Sequence, residues 1–175
     1  MHRGFRDLVG NLFDGGRPVQ AHGIERKCPK TNPSDGDGGA LAIVGGRTLR
    51  QRSATGVWRT LAASESELST IVTVAGEIYV GTENAEILRL GASGHLEPVP
   101  GFARVPGRET WYAGTALIDG RLLGPPLGIR SMTATCDGTA LLANVHVGGI
   151  PRSTGPGVTW HPTINIDEDV DEVRA

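Results

Sequence analysis

The sequence predicts an all-β chain of about three four-stranded units behind a loosely ordered leader. Three observations carry this. Glycine and proline are abundant, 26 and 11 of 175 residues, and glycine is at roughly double its usual 7%. β-rich runs of 4–7 residues alternate with turn signals every 8–12 residues. The runs recur in the same order along the chain. So many turns exclude a long-helix bundle or coiled coil.

Charge narrows the partners. Lys+Arg is 17 and Asp+Glu 19, a net charge of −2. That gives no reason to expect nucleic acid or an anionic membrane. No apolar run approaches the ~20 residues of a membrane span. Arg6 and Asp7 break the apolar character of the first thirteen residues, unlike a secretory signal. The expectation is a cytoplasmic chain with no nucleic-acid partner, no membrane and no cofactor. Cys28 and Cys136 lie far apart, and no CxxC marks a zinc ribbon or thioredoxin-type site. Whether the two cysteines pair is left open.

The leader covers residues 1–39. Phe5, Leu8, Val9, Leu12 and Phe13 have amphipathic-helix spacing, so a short helix is expected there. Residues 14–39 read as loop. They hold both lysines of the chain, Lys27 and Lys30, and this composition shift places a boundary near Gly39.

From Ala40 the chain reads as three strand units, 40–67, 68–100 and 129–164. A long loop insertion, 101–128, separates the last two, and 165–175 opens a further unit. The first unit holds ALAIV, RTLRQRS and VWRTLA. The second holds TIVTVAG, EIYVGT, EILRL and HLEPV. The third holds IRSMTATC, TALLANV, GGIPRS and VTWHPTI. Asp137-Gly138 between two β-rich runs is a hairpin signal.

The units resemble one another. The segments from Gly76 and from Gly138 each carry a turn glycine, an apolar strand, and a shorter strand containing Arg89 or Arg152. A small-residue turn and a last strand near proline follow. QRSATGVW, 51–58, parallels PRSTGPGVTW, 151–160, so the first unit repeats the second half of the third. A four-stranded unit of this size is the signature of a propeller blade, because one sheet cannot bury both faces alone.

Ser153, Gly157, Thr159 and Trp160 resemble the Asp-box of sialidase-like BNR repeats, with Gly155 in place of the aspartate. That resemblance implies a structural turn between the third and fourth strands, with the tryptophan packed beneath it. Residues 40–175 more widely resemble WD40/YVTN/BNR-like repeat proteins, including photosystem-assembly-factor-like propellers. The segments VGTENAEILRL, NVHVGGIPRS and WHPTINIDEDVDEVRA carry that likeness. A closed ring needs roughly 250 residues at such repeat lengths. The expectation is therefore a partial propeller, an open arc whose exposed blade faces invite self-association.

Chemistry is sparsely signalled. Sialidase hydrolysis would need an arginine triad, a tyrosine nucleophile with a glutamate, and an acid aspartate. No F/Y-R-I-P motif is present, and neither Tyr79 nor Tyr112 has a glutamate placed by motif. No catalytic residue is assigned. His146, at a strand end where face loops begin, is a ligand-binding candidate. Trp111, Tyr112 and Arg108, with Arg104 nearby, are candidates for a stacking platform in the long loop. Asp167, Asp169 and Asp171 supply hard oxygen ligands but lack the glycine of a Ca²⁺ loop, so the acidic run reads as a solvated linker and no metal is expected. The function read is a non-enzymatic binding or scaffolding propeller that recognises an unknown protein or glycan through its loop face. The alternatives are a sialidase-type glycoside hydrolase and a truncated reading frame without independent activity.

Overall fold

The computed structural model describes residues 39–111, 128–146, 148–155, 157–165 and 173, with the backbone alone of 13–14, 17–18, 117–118 and 121–122. The described residues are all-β apart from two 3₁₀ turns. The helix expected over Phe5–Leu12, Cys28, Tyr112 and the acidic run 167–172 lie outside them, although Phe13 belongs to a strand.

β1 (Phe13–Asp14) and β2 (Arg17–Pro18) form a short antiparallel pair. β3 (Ala40–Val44), β4 (Thr48–Arg52) and β5 (Trp58–Ala63) form the first sheet, a three-stranded meander. β6 (Leu68–Val74), β7 (Glu77–Thr82), β8 (Ile87–Leu90) and β9 (Leu96–Pro98) form a four-stranded meander. A second two-stranded pair follows, β10 (Leu117–Ile118) with β11 (Arg121–Leu122). β12 (Ile129–Ala134), β13 (Leu141–Val145), β14 (Pro151–Thr154) and β15 (Thr159–Pro162) form the third sheet, again in order. The turns are short because glycine and alanine take positive φ where the chain reverses. Ala75 (φ 51°) and Gly76 (φ 80°) link β6 to β7, the conformation a two-residue hairpin demands. An alanine there is strained. Ala75→Gly is expected to raise stability by about 1 kcal/mol in a denaturant melt, since the left-handed region costs a residue with Cβ that much.

The sheets pack face to face. The larger core lies between the second and third and includes Val72, Tyr79, Phe102, Ile129, Leu141 and Trp160. Gly81 sets the approach of β7 to β12, because a Cβ there would stand 2.7 Å from the Ile129 Cβ. A smaller cluster joins the first sheet to the second through Leu49, Leu68, Val80 and Leu88. Part of the segment read as a long loop is packed. Its 3₁₀ turns, Phe102–Arg104 and Arg108–Thr110, carry Phe102 and lead to Trp111, both in the larger core. Phe102 meets Trp160 edge-on at 4.9 Å and Trp111 at 5.6 Å.

Strand direction distinguishes the first sheet. Leu68 N–H donates to the Gly46 carbonyl at 2.7 Å, so β6 starts at the β3–β4 turn, where β3 ends. β12 likewise starts beside the end of β7, since a Cβ on Gly128 would lie 2.5 Å from Glu83 Cα. β3 therefore corresponds to β7 and β13, and β4 and β5 to the third and fourth strands. The turn from Ser53 to Trp58 matches the one from Ser153 to Trp160. No strand equivalent to β6 and β12 stands beside β3 among the described residues.

The hairpin signal at Asp137-Gly138 is realised as a wider connection, because the ladder closes at Ala134↔Leu141. Asp137 Oδ1 accepts from Thr135 Oγ1 at 2.6 Å, Thr139 N–H at 3.0 Å and Thr139 Oγ1 at 2.8 Å. These bonds, the Thr135 hydroxyl foremost, pull the carboxyl from 3.8 down to about 2. The unfolded chain then binds this proton first as pH falls. The contribution is complete above pH 4 and disappears as pH drops toward 2. Asp137→Asn is expected to flatten this part of the stability profile, read by acid melts at stepped pH.

Candidate functional site

Two inner strands share an irregularity. The β6–β7 register shifts between Leu68 and Thr70, and the β12–β13 register shifts between Ile129 and Ser131. Ser69 and Arg130 are thus the bulged residues, and a bulge frees a side chain to point away from the ladder. Leu68 pairs with Thr82 and Ile129 with Val145. The residues just past those partners are Glu83 and His146. Ser69 with Glu83, and Arg130 with His146, are the same two positions in successive sheets.

Three of these positions, Ser69, Glu83 and Arg130, converge on one open cavity of about 330 Å³, which Gly128 and Ile129 also line. Ser69 Oγ donates to the Ile129 carbonyl at 2.5 Å, fixing the start of β6 against the start of β12. Gly128 is needed because any Cβ would meet Glu83 Cα and the Thr82 carbonyl. Arg130 Nη2 stands 3.3 Å from His146 Nε2. A guanidinium only donates, so His146 Nε2 is the acceptor in this contact. The cavity therefore presents a cationic fork, a hydroxyl and a carboxylate, with His146 against the fork from beside it. Such a set can bind a small polar ligand, an anionic group on Arg130 and donors on Glu83.

The other candidates take different places. Trp111 is 4% exposed and belongs to the core. Arg108 lies over it, 4.8 Å from the ring, and 5.3 Å from Phe102. Arg108 Nη2 donates to the Ala85 carbonyl at 2.7 Å, so the residue ties the 100–111 segment to the second sheet. Burial pushes its pKa down, Glu86 opposing, yet a guanidinium keeps its charge. In this packing the indole presents no open face for stacking a ligand. A broad depression of about 750 Å³ borders 103–109 with Arg104 and Glu109 exposed along it, and no bulge or paired position focuses side chains there. Among the described residues no group of three His, Cys, Asp or Glu could hold a metal ion.

The Asp-box residues sit at the opposite end of the sheet, in the β14–β15 turn. Ser153 Oγ accepts from Leu141 N–H at 2.8 Å, replacing ladder bonds where β13 and β14 have a single registered pair. Gly157 takes φ 73°, Thr159 pairs with Thr154, and Trp160 is 2% exposed. Tyr79 and Glu77, near that same end, form a phenol–carboxylate pair that no motif signalled. Tyr79 Oη donates to Glu77 Oε2 at 2.7 Å, and Arg89 Nη1 lies 3.4 Å from Glu77. Burial first, then the Glu77 bond and charge, raise the phenol's pKa. That is the reverse of nucleophile activation.

Cys136 is disulfide-bonded, and Cys28 is the only other cysteine of the chain. No helix among the described residues is long and apolar enough to cross a membrane. In comparisons with known proteins, no family model matches the chain and no curated protein matches it.

Proposed function

We propose that the chain is a partial β-propeller acting as a non-enzymatic binding module, its ligand held at the cavity between the first strands of the second and third sheets. The observation that carries this is the pairing of equivalent positions, Ser69 with Glu83 and Arg130 with His146, around one opening. Ordered meanders packed face to face, with β6 and β12 starting side by side, support the propeller reading. The ligand class is a small polar molecule, or a protein or glycan group, that carries a carboxylate or similar anion. Arg130 supplies a planar fork for that anion, and Glu83 accepts from hydroxyl or amino groups. The disulfide at Cys136 weighs toward an oxidising compartment, where such bonds persist.

A carboxylate and sugar-acid library titrated into the isotope-labelled chain tests this. A ligand is expected to move the amide resonances of Ser69, Glu83, Arg130 and His146 together. Arg130→Ala is expected to weaken binding at least about tenfold. Because Arg130 is exposed, stability should stay within about 0.5 kcal/mol. Binding indifferent to Arg130 and His146, or no response at these residues across the library, would overturn the reading.

A further inference from the structure

We propose that the cavity between the second and third sheets binds a free α-amino acid, its ammonium on Glu83 and its carboxylate on Arg130. The proposal rests on the binding reading above and names the ligand class that the cavity takes.

The two opposite charges are built at one junction of the sheets. Val44, Thr82 and Val145 hold the same place in the three sheets, since each closes on the residue four further along. The closing contacts are Val44 with Thr48, Thr82 N–H with the Glu86 carbonyl, and Val145 with Gly149. The residues that follow them are Gly45, Glu83 and His146. On the facing strands, Leu68 and Ile129 are equivalent, so Glu67 and Ser69 correspond to Gly128 and Arg130. The junction of the first sheet with the second therefore carries Gly45, Glu67 and Ser69. The junction of the second with the third carries Glu83, Gly128 and Arg130. Of the two, only the latter sets an acid and a base on either side of bare backbone. The fold itself does not require this, because the first junction packs through Leu49, Leu68, Val80 and Leu88 without it.

Geometry sets the ligand's size. A Cβ at Gly128 would stand 2.8 Å from Glu83 Oε2, so that carboxylate lies against the bare start of β12. Arg130 follows two residues along the same strand, roughly 6–7 Å by strand rise. His146 Nε2 stands 3.3 Å from its Nη2, and a guanidinium with five N–H donors is not exhausted by that contact. An ammonium and a carboxylate on one carbon span such a gap once each makes a charge-assisted hydrogen bond of about 2.8 Å. Ser69 Oγ gives its proton to the Ile129 carbonyl, so it meets a ligand as an acceptor and adds to the ammonium side. The cavity of about 330 Å³ is at the small end of ligand sites. Its open mouth leaves the amino acid's side chain directed to solvent, so side-chain selectivity is weak. A peptide end carries one of the two poles and meets only half of the site.

Four probes titrated into the isotope-labelled full-length chain test this: L-alanine, N-acetyl-L-alanine, L-alaninamide and γ-aminobutyrate. L-Alanine is expected to move the amide resonances of Ser69, Glu83, Gly128 and Arg130 saturably. The other three lack one pole or hold the poles apart, and each is expected to bind at least about tenfold more weakly. Glu83→Gln, at an exposed residue, is expected to weaken L-alanine about tenfold and to leave N-acetyl-L-alanine unchanged. N-Acetyl-L-alanine or γ-aminobutyrate binding as tightly as L-alanine overturns the amino-acid assignment and leaves the carboxylate reading standing. L-Alaninamide binding as tightly overturns both. No response to L-alanine overturns the assignment, and the sugar-acid titration then decides the carboxylate reading by itself. If Glu83→Gln does not fold, the four affinities of the native chain decide alone.

Discussion

Trp160→Ala is expected to lower stability by about 3–5 kcal/mol, the range for emptying a large buried aromatic site. Trp160 is 2% exposed and meets Phe102 edge-on at 4.9 Å. Truncation therefore opens a cavity between the second and third sheets and releases the 3₁₀ segment that Phe102 anchors. Its indole Nε1 has no hydrogen-bond partner, so the loss is one of packing, and Trp160→Phe is expected to recover a good part of it. Trp58 supplies the control. It holds the same position in the first sheet but is 41% exposed, so Trp58→Ala should cost far less. Denaturant melts of the three variants read the contrast, and equal losses at Trp58 and Trp160 would contradict the packing described.

Gly101→Ala is expected to cost about 3 kcal/mol through overpacking. A Cβ at Gly101 would lie 2.2 Å from the Val158 carbonyl oxygen and 2.9 Å from its carbon. Both atoms belong to backbone, so no rotamer change relieves the clash. The backbone angle is not the cause, because Gly101 has an ordinary helical φ of −62°. Either the 101–111 segment or the β14–β15 turn must move, and the first carries Phe102 against Trp160. Gly94→Ala gives the comparison: its nearest contact is 3.8 Å away, and only its positive φ of 77° is strained, so the loss should be near 1 kcal/mol. The two melting midpoints should differ accordingly.

Much of the strand architecture is legible in the sequence because β-branched runs and turn glycines are local signals. EIYVGT becomes β7 and ILRL becomes β8 with no distant partner needed to identify them. The matching of 51–58 to 151–160 also contains the offset of the first sheet, since it aligns β4 and β5 with third and fourth strands. Direction was not legible, because it depends on where β6 starts relative to the Gly46 turn. His146 stands out in sequence as a polar residue at a strand end. Ser69, Glu83 and Arg130 do not, because a bulge is a mismatch between two strands and leaves no mark on either alone. Aligning whole hairpins, 68–83 on 129–146, would have placed them opposite one another. Trp111 and Arg108 suggest a platform by composition, yet Phe102 and Ala85 turn them inward. Those contacts join residues far apart in the chain, and local pattern cannot supply them.

The account depends most on the seating of the second sheet against the third, with β6 and β12 starting side by side. Nuclear Overhauser spectra of the labelled chain test that seating directly. Strong cross-peaks are predicted from the Gly81 Hα protons to the Ile129 γ2 methyl and from the Ser69 β protons to the Ile129 backbone. An Ile129 methyl in contact with residues of the first sheet, and with neither Gly81 nor Ser69, would contradict the packing and the cavity built on it.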